Sequence, residues 1–189
     1  MTDVTDVHLP VDSRRRLIDI ARQTLEGVVW RRPYRNVGID DPYLESVDYG
    51  AFVTLFNQDE LRGCIGTCAP SSCLRDTVIE MTEAAATRDR RVRPVRPAEL
   101  AQIHIDISVL SPLERSPEPL ALKIGQHGLH VTCGRKRGVL LPQVAVEHGW
   151  DIKTFLEQTC LKANLPKEAW GSAETVVSSF TALIIEEEK

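Results

Sequence analysis

The segment 51-AFVTLFNQDELRGCIGT-67 decides the fold of this chain. Its first six residues predict a strand, the next four predict a turn, and Leu61 to Thr67 predicts the partner strand of a β-hairpin. Two glycines, Gly63 and Gly66, lie within the second strand, although each of them weakens a strand. Their presence indicates a bulge, or the close approach of another backbone or of a ligand.

The sequence around this hairpin predicts helices and further strands. A helix capped by Ser13 has apolar residues at helical spacing and ends before Pro33. A second helix starts near Pro70 and runs to about Thr87. Strict alternation of apolar and polar residues predicts a half-buried strand from Ile103 to Leu110. The remaining predicted elements are short strands at 120–124, 128–133 and 138–141, helices at 143–148 and 151–163, and one long strand at 175–185.

Strands that come in blocks, with helices on one side, indicate an α+β fold and not a parallel doubly wound sheet. We expect one domain over residues 13–187, with two unequal lobes and a cleft between them. The larger lobe, at about 13–112 and 171–187, is expected to hold both termini and an antiparallel sheet flanked by helices. The smaller lobe, at about 113–170, is expected to hold a short β-meander and helices. Residues 1–12 are expected to form a flexible N-terminus.

The composition is that of an ordinary globular domain. Of 189 residues, 42% are hydrophobic and 26% are charged, which argues against disordered and fibrous chains. No apolar run approaches the roughly 18 residues that cross a bilayer, and the acidic start lacks the features of a secretory signal. We therefore expect a cytoplasmic protein without a membrane span. Five cysteines, an odd number, are typical of free thiols in a reducing compartment.

The first candidate for chemistry is the segment from Arg62 to Thr67. A nearby guanidinium lowers the pKa of a thiol, and the thiolate is the reactive form, so Arg62 and Cys64 are a candidate nucleophilic pair. No histidine is tied to Cys64 by a motif as its base. The alternative interpretation of Cys64 is a small buried thiol in a bulged strand.

The second candidate is the basic stretch from Arg88 to Arg96, in which five arginines and the single Asp89 give a net charge of +4. Guanidinium groups bind phosphate and nucleic acid, whereas the alternative is a solvated loop with internal ion pairs. No aromatic residues interleave with these arginines, and the net charge of the chain is −4, so nucleic-acid binding is the weakest hypothesis. The cysteine and histidine spacings match no metal site, and no cofactor is predicted.

Three motifs resemble those of the AMMECR domain family: LRGCIGT at 61–67, IDISVLSP at 105–112 and LLPQVA at 140–145. The resemblance spans about 14–186 and implies an α+β fold of two unequal lobes, with the R-G-C-I-G segment in the cleft. Val92 stands where the family usually has phenylalanine in a D-x-R-F segment, and Arg90 stands where proline is common. The residues that match family motifs are Arg62, Gly63, Cys64, Ile65, Gly66, Asp89, Arg91, Pro142 and Gln143.

Bacterial and archaeal members of the family resemble the A component of the AmmeMemoRadiSam system. The resemblance therefore implies Memo-like and radical-SAM proteins as partners, but it supplies no reaction and leaves open whether the chain is an enzyme. We favour a binding or accessory component that acts through the cleft. The first alternative is a thiol-dependent enzyme in which Cys64 acts on a small anionic substrate, Arg62 and Arg91 hold the anion, and Asp89 positions an arginine. The second alternative is nucleic-acid binding through Arg88 to Arg96.

Overall fold

The computed structural model describes residues 6–32 and 40–188. Within them the chain forms helices and two four-stranded antiparallel sheets, which confirms the predicted α+β class. In chain order the elements are α1 (Val11–Val29), β1 (Gly50–Asn57), β2 (Glu60–Thr67), α2 (Leu74–Thr87), a 3₁₀ turn (Pro97–Gln102), β3 (Ile103–Leu110), β4 (Glu114–Arg115), a 3₁₀ turn (Pro119–Ala121), β5 (Gly128–Cys133), β6 (Lys136–Leu140), α3 (Pro142–Glu147), α4 (Ile152–Lys162), a 3₁₀ turn (Lys167–Gly171), β7 (Val176–Phe180) and β8 (Ala182–Glu186).

The chain divides into two compact units. The larger unit holds His8–Leu110 and the segment that begins at Leu183, and the second unit holds residues 6–7 and Ser111–Ala182. The sequence assigned residues 171–187 to the larger lobe, and for β7 this assignment is wrong. β7 pairs with β5, so it belongs to the sheet of the second unit.

The sheet of the larger unit has the strand order β2-β1-β3-β8, so β2 and β8 are its edges. The predicted hairpin and the predicted strand at 103–110 are both confirmed. Ala51, Val53 and Leu55 of β1 are fully buried on the face that α1 and α2 cover. Because side chains alternate along a strand, Phe52, Thr54 and Phe56 lie on the opposite face, where they are half-buried.

The first helix is confirmed, but the capping role predicted for Ser13 is wrong. α1 begins at Val11 after Pro10, and no side chain caps it. Ser13 is buried inside the first turns, where its Oγ donates to Oδ2 of Asp41 at 3.0 Å. Burial raises the pKa of Asp41, but hydrogen bonds from Arg16, Ser13 and the Tyr43 backbone outweigh it and leave the pKa below its ordinary value. The predicted end of this helix at Pro33 lies outside the described residues.

The second helix begins later than predicted. α2 starts at Leu74, with Cys73 in the cap position, and it ends at Thr87 as expected. The stripe that the sequence assigned to its apolar face is buried in the structure: Leu74, Val78, Met81, Ala84 and Ala85. The position of α2 therefore follows from the burial of this apolar stripe against the sheet, and not from the predicted start near Pro70.

The sheet of the second unit has the strand order β4-β7-β5-β6. The predicted strand at 128–133 and the predicted helix capped by Asp151 are confirmed, and Asp151 Oδ1 accepts the Thr154 N–H at 2.7 Å. Phe155 and Leu156 of α4 are fully buried in the core of this unit. The predicted strand at 120–124 is wrong, because a 3₁₀ turn begins at Pro119 and includes Ala121, and the next strand starts only at Gly128.

The single long strand predicted from Thr175 to Ile185 is also wrong. The chain forms two shorter strands, β7 and β8, that belong to different sheets. Between them, the backbone of Thr181 accepts the Ser111 N–H and donates to Ser111 Oγ, both at 3.0 Å. β-branched composition predicts extended backbone here, but it does not specify the partner strand.

No helix in the described part of the chain combines the length and the apolar character that a bilayer crossing requires. Within the described residues the five cysteines form no disulfide, and Cys73 and Cys160 are the two that are buried.

Candidate functional site

Cys64 lies near the middle of β2, which is an edge strand of the sheet in the larger unit. Its neighbour across the ladder is Thr54 of β1, whose Oγ1 donates to Cys64 Sγ at 3.3 Å. Cys64 is half-buried, unlike Cys73 and Cys160. The thiol therefore lies on the sheet face opposite the helices, beside a hydroxyl donor.

The turn after α2 closes the outer edge of β2 at this position. The Cys64 N–H donates to Asp89 Oδ2 at 2.9 Å, and Arg91 Nη2 donates to the Cys64 carbonyl at 2.8 Å. A neighbouring antiparallel strand would offer the same pair, one acceptor and one donor. Two side chains thus take the place of a further strand, and we call Asp89, Arg91 and the Cys64 backbone the edge clamp.

The edge clamp is held together by an ion pair. Arg91 Nε and Nη2 donate to the two carboxylate oxygens of Asp89 at 3.0 and 2.7 Å, and the Arg91 N–H donates to Oδ1 at 3.1 Å. The Arg91 hydrogen bond is the largest reason why the pKa of Asp89 lies well below its ordinary value, and the Cys64 N–H lowers it further. Asp89 is buried, whereas the side chain of Arg91 is 60% exposed.

Arg62, the predicted activator of the thiol, has Glu99 as its partner. Its Nε and Nη2 donate to the Glu99 carboxylate at 2.9 and 3.1 Å, and its side chain is only 11% exposed. Glu99 also accepts the Arg96 N–H at 2.9 Å. The Arg62 hydrogen bonds are the largest cause of the lowered pKa of Glu99. The role of Arg62 beside Cys64 stays a prediction.

The two glycines of β2 are explained by close packing. A Cβ at Gly63 would lie 2.1 Å from the Ala85 carbonyl oxygen of α2, and a Cβ at Gly66 would lie 2.2 Å from the ring of Phe52. Gly63 therefore seats β2 against the helix, and Gly66 leaves room for an aromatic ring on the other face. The close approach that the sequence indicated is to a helix backbone and to a side chain of this chain.

The same sheet face continues beyond Thr54. Asp106 of β3 lies opposite Thr54, and burial, the largest cause, raises the pKa of Asp106. His104 Nε2 lies 3.1 Å from Asp106 Oδ1, but that buried oxygen has no hydrogen bond of good geometry within the described residues. Phe56, His104 and Asp106 help to line a groove of about 930 Å³ within the larger unit.

The other predicted site residues lie in different places. Ile65 and Thr67 lie on β2, and Thr67 Oγ1 accepts the Ala69 N–H at 3.2 Å. Pro142 and Gln143 open α3 of the second unit, where Gln143 Oε1 is buried without a hydrogen-bond partner in the described chain. The structure thus brings Cys64, Asp89 and Arg91 into direct contact. The predicted cleft that joins them to Pro142 and Gln143 stays a prediction.

The basic stretch is partly neutralised within the chain. Arg88 lies 3.4 Å from Glu83, and Arg91 is bound to Asp89. Arg93 and Arg96 are exposed, and they line a groove of about 590 Å³ that is also lined by Glu60, Arg62, Arg91 and Glu99. Across the described residues, His, Cys, Asp and Glu form no group of three that suits a metal ion.

Sequence reasoning missed two residues of this site, Thr54 and Glu99. Thr54 alternates with the buried Val53 and Leu55 of β1, and this alternation marks its face but not its neighbour. Glu99 follows Arg96 by three residues at the start of a 3₁₀ turn, and a carboxylate at that spacing is a known signal of a helix start. That signal predicts the bond to the Arg96 backbone but not the bond to Arg62.

Comparison with known proteins identifies relatives over nearly the whole chain. A protein of Methanothermobacter thermautotrophicus is 42% identical over 185 residues, which cover 94% of this chain and 95% of the relative. Protein TK0174 of Thermococcus kodakarensis is 41% identical over 182 residues, covering 91% of this chain and 89% of the relative. The crystal structure of the uncharacterized protein PH0010 from Pyrococcus horikoshii matches with a TM-score of 0.85 at 35% identity, over 98% of this chain and 94% of that one.

The motif resemblance is confirmed by a family model. The model described as AMMECR1 matches residues 18–185, which include β2, the edge clamp and the start of α3. With relatives above 40% identity over most of the sequence, this match establishes that the chain belongs to the AMMECR1 family.

Proposed function

We propose that the chain is a binding or accessory component that recognises a partner protein through the surface around Cys64. The Memo-like and radical-SAM proteins that the family resemblance implies are the partners in this proposal. The observation that carries it is the edge clamp, which fixes both backbone groups of a half-buried cysteine. A surface held in one arrangement before binding loses little conformational entropy when a partner docks.

Both arginines near Cys64 are already paired with carboxylates of this chain, which favours docking over catalysis. Arg62 is bound to Glu99 and Arg91 is bound to Asp89, each through two side-chain hydrogen bonds. Both guanidinium groups therefore already satisfy a carboxylate, and a substrate anion would have to compete with it. Bidentate pairs of this kind give geometric specificity, which suits the shaping of a surface.

The face that carries the thiol also suits a protein contact. Phe52 and Phe56 flank Thr54 along β1, and all three are half-buried. Aromatic side chains with a neighbouring polar group are enriched at protein interfaces. Because Gly66 accommodates the Phe52 ring, this part of the face is shaped by packing within the larger unit.

The second candidate function is a thiol-dependent enzyme that acts on a small anionic substrate. Hydrogen bonding to Asp89 is the largest cause of the raised pKa of Arg91, and the charge of the Cys64 thiolate contributes to it. Arg91 Nη2 donates to the Cys64 carbonyl at 2.8 Å, so a guanidinium lies next to this cysteine, as nucleophilic cysteines require. The arginine-lined groove beside it gives an anion a place to bind.

Capture of purified Memo-like and radical-SAM proteins by the immobilised chain separates the two functions. We expect Cys64→Ala to retain capture, because docking needs the surface and not the thiol. Alkylation of Cys64 with a bulky maleimide is expected to abolish capture. The Cys64→Ala variant treated with the same reagent is the matched control for modification of other cysteines.

The rate of Cys64 alkylation as a function of pH, read by peptide mass spectrometry, supplies the second measurement. Cys73 and Cys160 are buried internal controls in the same digest. A thiol that titrates near the free value of about 8.5 agrees with docking. A much lower pKa of the Cys64 thiol would favour the enzyme instead. The enzyme would be established if Cys64→Ala also lost turnover of an anionic substrate while it still captured the partner proteins. Failure to capture either protein would overturn the docking proposal.

A further inference from the structure

β8 is the second edge strand of the sheet in the larger unit. Its outward backbone groups face no further strand of the described chain. The Glu187 N–H donates to the Ile105 carbonyl at 3.0 Å, so the backbone groups of Glu187 point toward β3. Along an antiparallel strand the N–H and C=O groups of alternate residues point to opposite sides. The backbone groups of Ile184 and Glu186 therefore point away from β3.

Accessible apolar side chains lie beside this edge, in a groove that charged residues also line. Ile184 is 42% exposed and Val11 of α1 is 58% exposed. With Ile18 they line a groove of about 560 Å³ between α1 and β8. An accessible strand edge next to apolar side chains is a template for pairing with another strand.

We propose that β8 is a self-association surface, to which a second copy of the chain adds its own β8 in antiparallel register centred on Ile184. This register pairs Ile184 with Ile184 of the second copy and Leu183 with Ile185 of the second copy. Ala182 then lies opposite Glu186 of the second copy. No two like charges face each other, whereas a parallel, in-register arrangement would place the acidic ends of both strands side by side.

Charge complementarity supports a second copy as the occupant. Arg22 of α1 binds Glu187 just after β8, and Val11 shares a groove with Ile184, so α1 and β8 run in the same direction. Antiparallel pairing brings the acidic end of one β8 to the start of the other β8. Arg14 and Arg15, in the first turns of α1, line the groove of each copy, and Asp19 and the acidic residues 186–188 line it as well. Because α1 and β8 run in the same direction, the arginines lie toward the start of β8 and the acidic residues toward its end. The two-fold axis repeats this match of basic and acidic groups twice.

Sedimentation equilibrium of the full chain over a wide concentration range tests this proposal. We expect a monomer–dimer equilibrium for the wild type. Ile184→Asp places two carboxylates opposite each other at the two-fold axis, and we expect it to raise the dissociation constant of the dimer at least tenfold. Val146→Asp changes an apolar side chain of the second unit that is 59% exposed, and it is the matched control with unchanged association.

A proline at the same position tests the backbone geometry. Ile184→Pro removes an N–H that points outward, so the ladder with β3 keeps its hydrogen bonds while edge pairing loses two. We expect at least a tenfold weaker dimer and a native circular dichroism spectrum. A wild type that stays monomeric at all concentrations would overturn the proposal, as would a dimer that survives both substitutions. Loss of capture of another protein in Ile184→Asp, with a monomeric wild type, would assign the edge to a different partner.

Discussion

The two edges of the sheet in the larger unit, at β2 and at β8, differ in what faces their outward backbone groups. At β2 the edge clamp supplies an acceptor and a donor to Cys64 from one ion pair, in which Asp89 is buried and Arg91 is exposed. At β8 the backbone of Ile184 points outward beside exposed apolar side chains. A closed edge prevents further strand addition, whereas an open edge permits it. One sheet therefore has a rigid surface at one edge and a pairing surface at the other.

The largest expected effect comes from adding a side-chain carbon at Gly63, where β2 packs closely against α2. In Gly63→Ala the new Cβ would lie 2.1 Å from the Ala85 carbonyl oxygen, so strand and helix must separate. We expect the free energy of unfolding to fall by about 2 to 4 kcal/mol in urea denaturation. Gly171→Ala is the matched control, since its Cβ meets nothing within 4 Å. Equal stability of the two variants would show that the packing at Gly63 relaxes freely.

A smaller effect is expected from opening the clamp itself. Asp89→Ala removes the acceptor of the Cys64 N–H and the partner of Arg91. We expect a loss of about 1 to 3 kcal/mol in the free energy of unfolding, the usual cost of a buried polar group left without its partner. Amide hydrogen exchange at low protein concentration measures the local effect. The Cys64 amide should exchange slowly in the wild type and approach the rate of Ile184 in the variant, whereas unchanged protection of Cys64 would contradict the clamp.

The smallest effect is a pH dependence confined to the closed edge. The pKa of Asp89 is lower in the folded chain than its unfolded value of about 3.9, so its ion pair stabilises the fold above that value. This stabilisation is lost as the pH falls through the lower, folded pKa. We expect the Cys64 amide to lose protection on acidification below about pH 4, while Ile184 exchange shows only its intrinsic pH dependence. Asp89→Asn should show a weaker acid response, and an equal response would assign it to other carboxyl groups.

The register of the central hairpin shows where sequence reasoning stops. A count outward from the turn, where Phe56 pairs with Leu61, places Thr54 opposite Gly63. The irregularity between Leu55 and Phe56 shifts the pairing by one residue, so Thr54 lies opposite Cys64. The two glycines indicated a bulge, but its position depends on how α2 packs on Gly63. Only the packed structure therefore identifies the hydroxyl beside the thiol.

The two halves of the final segment show the same limit. The sequence from Thr175 to Ile185 predicts extended backbone, and β7 and β8 are extended. At the point where they separate into two sheets, Thr181 binds Ser111, which lies 70 residues away along the chain. β propensity is a property of the residues in a strand, whereas pairing depends on what lies beside it.

By itself, the sequence determined several local elements of this protein and three members of its site. Alternation predicted β3, helical spacing predicted the buried faces of α1 and α2, and the motifs marked Cys64, Asp89 and Arg91. The tertiary structure decided the contacts that join distant residues, since Arg62 and Glu99 are 37 positions apart, and Cys64 and Asp89 are 25 apart. Periodic burial is encoded by neighbours along the chain, whereas such contacts exist only after helices and strands have packed.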